Sequence, residues 1–212
     1  MNLAPQDLVP SRPMHPEALG QVPGRGRLQG RRVLVIGAGQ RDIPEENPPV
    51  GNGRAISVLF AREGASVVCV DVNREAVQAT VDQVKAEGGT AHAEVADVSD
   101  VAGIAPLVQR AAQTLGGLDG LVLNVGISHG LPFNKITPET WEKEYAVNLR
   151  SHMFFSQAAL EVMAPGGSIV LMSSLASLRN ASRNPAYESS KAAQVSLARA
   201  IAVAGESKGI RC

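Results

Sequence analysis

The chain has 212 residues, with 20 Lys+Arg against 20 Asp+Glu and a formal net charge of zero. That length predicts one domain with trimmings, and the neutral balance excludes a strongly basic nucleic-acid binder or an acidic tail protein. Hydrophobic residues at 44% and charged residues at 19% exclude a disordered chain, and aromatics at 3% leave few platforms for stacking single-stranded bases.

No apolar run approaches the ~18 residues of a membrane span. The N-terminus carries no apolar core flanked by basic residues, so no secretory signal is predicted. Two cysteines, Cys69 and Cys212, are too few for a disulfide scaffold. The expected setting is reducing and cytoplasmic.

Residues 1–30 contain five prolines and four glycines with no apolar periodicity, and are predicted to be a mobile tail. From Arg31 the texture changes. Apolar runs at Val33–Ile36, Val67–Val70, Leu121–Leu123 and Ile169–Met172, with a weaker one at Thr90–Val95, are continuous rather than alternating. Such runs suit strands covered on both faces, and hence a parallel sheet.

Helical patterns lie between them. One face is Ala55, Ile56, Leu59 and Phe60; the next is Val77, Val81 and Val84; the third is Ile104, Leu107, Val108 and Ala111. Trp141, Tyr145, Asn148, His152 and Phe155 form a fourth stripe, and a last helix is expected from Pro185 to about Lys208. Alternating strands and helices predict an α/β, Rossmann-like doubly wound parallel sheet over residues 31–212.

The first strand ends in Ile36-Gly37-Ala38-Gly39, and a helix opens after Gly51-Asn52-Gly53. Glycines there let backbone N–H groups approach a pyrophosphate at a helix N-terminus. A dinucleotide motif sets them a few residues apart, whereas here eleven residues, Gln40 to Val50, intervene. Two unrelated turns would give the same letters. Asp71, at the end of the second strand, can accept both hydroxyls of an adenosine ribose and would repel a 2′-phosphate, which favours NAD over NADP. Arg74 argues the other way. The other reading of Asp71 is an acid that complements a helix dipole.

Tyr187 and Lys191 stand four residues apart on one helical face. A phenol ordinarily holds its proton to about pH 10, and a close ammonium favours the phenolate. Alone, the pair reads equally well as a surface contact.

Together these segments resemble the short-chain dehydrogenase/reductase family in its classical branch, over residues 31–212. The glycine turn is Gly37, Gly51 and Gly53. Ala96-Asp97-Val98 matches the adenine-side segment. Asn124-Val125-Gly126 stands where the family has Asn-Ala-Gly beneath the cofactor. Asn148, Ser174, Tyr187 and Lys191 match the catalytic tetrad, with Ser174 thirteen residues before Tyr187.

The resemblance implies hydride transfer between NAD(H) and a secondary alcohol or ketone. Tyr187 is then the acid/base, with Ser174 donating to the substrate oxygen. Lys191 acts on the phenol and holds the nicotinamide ribose, and Asn148 holds a relay water. No metal and no nucleic-acid or membrane partner is implied, and a homo-oligomer is expected of the full-length protein. Set against the family, the chain stops where the sixth strand begins. The expectation is therefore an incomplete domain with the Ser168–Met172 strand left as an open edge. The alternative reading is a catalytically inactive nucleotide-binding or interaction module. His129, after Asn124-Val125-Gly126, reads either as near the substrate or as an ordinary loop residue.

Overall fold

The computed structural model describes residues 15–41, 43–44, 49–179 and 184–212. Five parallel strands, β1 (Arg32–Ile36), β2 (Ser66–Asp71), β3 (Thr90–Val95), β4 (Leu118–Leu123) and β5 (Met163–Leu171), lie in the order β3-β2-β1-β4-β5. Six helices connect and cover them: α1 (Asn52–Arg62), α2 (Arg74–Ala86), α3 (Val101–Leu115), α4 (Pro138–Tyr145), α5 (Ser151–Val162) and α6 (Pro185–Gly205). This is the doubly wound α/β architecture that the sequence predicts.

The continuous apolar runs have a direct cause. Leu34, Ile36, Val68 and Val70 point into a core built with α3 and α5, while Val33, Val35, Val67 and Cys69 point into a second core with α1 and α2. Successive strand residues face opposite sides. A strand buried on both sides therefore has no polar position, and Leu34, Val35 and Ile36 are each fully buried.

Four expectations need correction. On α1 only Gly53, Ser57 and Val58 are fully buried; of the expected face, Ile56 and Phe60 pack partly buried against the core, while Ala55 and Leu59 are also partly exposed. At Gly53 the helix starts so close to the end of β1 that no side chain fits.

β5 begins at Met163, well before the apolar run, with a register shift between Leu118 and Gly120 on its partner. Pro165, Gly166 and Gly167 interrupt its signal in the sequence.

The edge of β5 is not wholly open. Arg211 bridges Ser168 in parallel, donating its N–H to the Gly167 carbonyl (3.1 Å) and accepting from Ile169 N–H (2.8 Å).

Finally, the segment leading to β1 is held down from His15 onward. Glu63, at the end of α1, accepts from the N–H groups of Arg25 (3.1 Å) and Arg27 (2.9 Å) and from the Arg27 guanidinium (2.6 Å). Glu17 pairs with the side chains of Arg25 and Arg27. Residues 1–14 of the expected tail, with Asp42 and 45–48 of the Gln40–Val50 insertion, lie outside the described residues.

Candidate active site

β1 has β2 on one side and β4 on the other, so the chain runs outward from β1 to β3 and then crosses back past β1 to β4. In such sheets a crevice opens beyond the carboxyl ends of the central strands. The glycines sit there. Gly37 has φ +79°, and a Cβ on it would lie 2.7 Å from Val125 N. A Cβ on Gly53 would lie 1.8 Å from the Gly37 carbonyl oxygen. The long interval between the two glycine groups closes on itself, because the Gln40 side-chain oxygen accepts from Gly51 N–H at 3.2 Å. Asn124 braces the turn from below, donating its amide to the Gly37 carbonyl at 2.7 Å.

The Asp71 carboxylate accepts from Gly39 N–H (2.9 Å) and Asn73 N–H (3.1 Å), one on each oxygen. Each oxygen keeps a lone pair for a further donor. Arg74 is exposed. A cavity of about 160 Å³ runs along this edge, lined by Gly37, Asp71, Asp97, Val98, Val125 and Val147 among others. Asp97 accepts from the N–H and hydroxyl of Ser99, and these hydrogen bonds hold its carboxyl below the usual carboxylate range. The cradle that a Cβ would fill, the open N-terminus of α1 and the paired acceptors of Asp71 fit a dinucleotide.

The tetrad residues gather at the far end of the same edge. Thr137 caps α4, with Pro138 following, and α4 runs through a π-turn at residues 146–150 into α5. That turn carries Asn148, fully buried. Its side chain accepts from Ile127 N–H (2.8 Å) and donates to the Ile127 carbonyl (2.9 Å) and to Ser190 Oγ (3.1 Å). Its main-chain carbonyl accepts from Gln194 at 2.6 Å. The Asn148 amide thus clamps the loop just past Gly126.

A Cβ on Gly126 would lie 3.1 Å from Lys191 Nζ and 3.5 Å from Asn148 Oδ1. Both residues therefore pack against this glycine. Lys191 is 3% exposed and donates to the Met172 carbonyl at 2.7 Å, with Nζ 5.9 Å from the centre of the Tyr187 ring. Burial pulls its pKa down from 10.5 to about 8. Ser173 donates to the Lys191 carbonyl at 2.8 Å, so the two residues before Ser174 are tied to the lysine. Ser174 Oγ accepts from Ala176 N–H (3.1 Å), which leaves the hydroxyl proton free to be donated.

Sequence reasoning missed three polar residues beside the tetrad. Gln194 is buried against Asn148. Asn184 caps α6, accepting from Tyr187 N–H at 3.5 Å; its place before Pro185 is a helix-start signature that the sequence offered. Glu144 is 1% exposed and bonds to both His129 and Asn184. Among the described residues no three His, Cys, Asp or Glu side chains could hold a metal ion.

Fold and site together define a nucleotide-binding α/β domain in which a buried lysine stands beside a partly buried tyrosine. Residues 49–212 match the family described as short chain dehydrogenase. A versicolorin reductase of Emericella nidulans is 34% identical over 179 residues, covering 84% of this chain and 64% of its own. A short chain dehydrogenase from Mycobacterium smegmatis superposes with a TM-score of 0.81 at 30% identity, over 90% of this chain and 77% of that one. A short chain dehydrogenase from Burkholderia cenocepacia, solved in complex with NADP, gives 0.76 at 30% identity, over 87% and 72%. The chain belongs to the short-chain dehydrogenase/reductase family. It spans just under two thirds of the length of the Emericella relative.

Proposed function

We propose that these residues form the dinucleotide-binding and catalytic part of an oxidoreductase that interconverts a secondary alcohol and a ketone with NAD(H). The observation that carries this reading is the packing of Lys191 and Asn148 against Gly126, with the Tyr187 ring beside the Lys191 ammonium. When bound, the nicotinamide ring supplies or accepts the hydride.

The chain's own residues handle the proton. In reduction Tyr187 gives its hydroxyl proton to the carbonyl oxygen; in oxidation it takes one from the alcohol. The free proton of Ser174 is donated to the same oxygen and stabilises charge that develops there. Lys191 places its ammonium beside the phenol and, with a pKa of about 8, exchanges protons near neutral pH. The Asn148 carbonyl keeps a lone pair beside its bond to Gln194, which would hold the water that returns the proton to solvent. Gly37, Gly51 and Gly53 would admit the pyrophosphate, Asp71 the adenosine ribose, Asp97 and Val98 the adenine side. Asn124 and Gly126 would underlie the nicotinamide half.

The Asp71 oxygens favour NAD, although the related Burkholderia structure holds NADP. A second copy of the chain would cover the outer face of α5 and α6, where Met153 and Val195 are each 41% exposed. The free cysteines Cys69 and Cys212 agree with a reducing, cytoplasmic setting, and no helix among the described residues is long and apolar enough to cross a membrane.

The test is Tyr187→Phe. Turnover, followed by the absorbance of reduced nicotinamide, should fall by about a hundredfold or more. Dinucleotide affinity, read by fluorescence quenching, should be unchanged. Comparable turnover in the variant would overturn the assignment.

A further inference from the structure

Just past Gly126 the chain places a histidine on a buried carboxylate, an arrangement that the chemistry above does not use. Glu144 Oε1 accepts from His129 N–H at 2.7 Å and faces His129 Nδ1 at 2.9 Å. Asn184 Nδ2 lies 3.2 Å from the same oxygen and 2.7 Å from Ser128 Oγ. An oxygen that already accepts from two N–H donors is an acceptor toward the ring as well. His129 Nδ1 therefore carries the proton, and in the neutral ring Nε2 is the bare acceptor.

That nitrogen has no partner among the described residues, and the His129 side chain is 38% exposed whereas that of Glu144 is 2% exposed. The buried carboxylate fixes tautomer and orientation, and the outer nitrogen is left to solvent or a ligand.

The position is set by the catalytic elements themselves. His129 is three residues past Gly126, which abuts Lys191. Asn184, which ties Glu144 and Ser128 together, also caps the helix that carries Tyr187 three residues on. The network thus ties the loop of His129 to α4, which leads into the turn carrying Asn148, and to the N-terminus of α6, which carries Tyr187.

We infer that His129 Nε2 accepts a hydrogen bond from a second hydroxyl of the substrate, with Glu144 as its positioning residue, so that the preferred substrates are vicinal diols and the corresponding hydroxy ketones. This rests on the alcohol–ketone reading. The reacting oxygen is engaged there by Tyr187 and Ser174, so an acceptor nearby needs a donor on a neighbouring carbon. A ligand that lacks it leaves the nitrogen unpaired, and sites built to bond a hydroxyl discriminate against analogues without one.

The test uses protein labelled with 15N-histidine and saturated with NAD, titrated with trans-1,2-cyclohexanediol and separately with cyclohexanol. The expected result is a His129 Nε2 resonance of the unprotonated type that moves with the diol and not with the monol. In Glu144→Ala, which loses the ring's acceptor, that resonance should become a mixture of tautomers. In turnover, the diol-to-monol ratio of kcat/KM should fall at least about tenfold in His129→Phe.

Equal responses to the two alcohols, or none to either, would overturn the inference. So would a fixed tautomer in Glu144→Ala. A His129 that responds to the diol in a protein without dehydrogenase activity would remove the proposed function and keep this site. Equal turnover of both alcohols with a silent His129 would do the reverse.

Discussion

Replacing Lys191 by methionine removes a charge from a place that resists it. Burial lowers the lysine pKa from 10.5 to about 8. At about 1.4 kcal/mol per unit, keeping the ammonium in the folded protein costs roughly 3 kcal/mol at neutral pH relative to the unfolded chain. The sign follows from proton counts. Below pH 8 both states hold the proton and the full penalty applies. Between pH 8 and 10.5 the unfolded chain binds more protons than the folded one, so stability rises with pH across that window. Above it the penalty is gone.

Lys191→Met has no proton to lose. It also forfeits the bond to the Met172 carbonyl, a loss of about 1–3 kcal/mol that offsets much of the gain at pH 7. The difference between the two proteins is therefore the clean observable. Urea unfolding at pH 7.5 and at pH 10.5 should show wild type gaining roughly 3 kcal/mol on the variant between the two conditions. Parallel stabilities would mean that the ammonium is solvated in the folded state, and the burial argument would fail with its consequence for proton exchange.

Gly53→Ala should lower the urea midpoint by the equivalent of about 3 kcal/mol with an unchanged slope, because its Cβ would meet the Gly37 carbonyl at 1.8 Å. It should also weaken dinucleotide binding measured by calorimetry. Asp71→Ala should narrow the preference for NAD over NADP in the same measurement, and a wild type that binds NADP more tightly would shift the assignment to Arg74. Glu63 is held down at a pKa of about 2 by Arg27 and the backbone N–H groups of Arg25 and Arg27. Its contribution to stability is present above the unfolded value of 4.5 and is lost as pH falls toward 2. Glu63→Gln should flatten acid unfolding, followed by circular dichroism, in that window.

The sheet was legible because its strands are buried on both faces, and that burial leaves a continuous apolar trace in the letters. The start of β5 was not, since Pro165, Gly166 and Gly167 erase the trace while the backbone still pairs. On α1 the periodicity pointed to the larger apolar side chains, but the closest packing belongs to Gly53 and Ser57, where size rather than hydropathy decides.

Asn148, Ser174, Tyr187 and Lys191 stood out in the sequence because each has a chemistry of its own and the four occur in order. Glu144 has no such mark. In Trp141-Glu142-Lys143-Glu144-Tyr145 it looks like one charge of a solvated turn, and only the fold brings the loop of Ser128 and His129 and the cap of α6 over it. The role of Asn148 as a backbone clamp depends on the π-turn beneath it, for which single-letter periodicity carries no signal.

The closure of Gln40 onto Gly51 bears on what can be built at this spot. A Cβ on Gly51 would stand 3.6 Å from the Gln40 Cα, so the two ends of the interval lie side by side. Closing a loop costs only about 0.6 kcal/mol more for each doubling of its length. The paired ends therefore constrain how an insertion here is anchored far more than how long it can be. A sensor peptide or a small folded module grafted between Gln40 and Gly51 would stand at the mouth of the phosphate cradle, and its occupancy could be read directly in dinucleotide affinity.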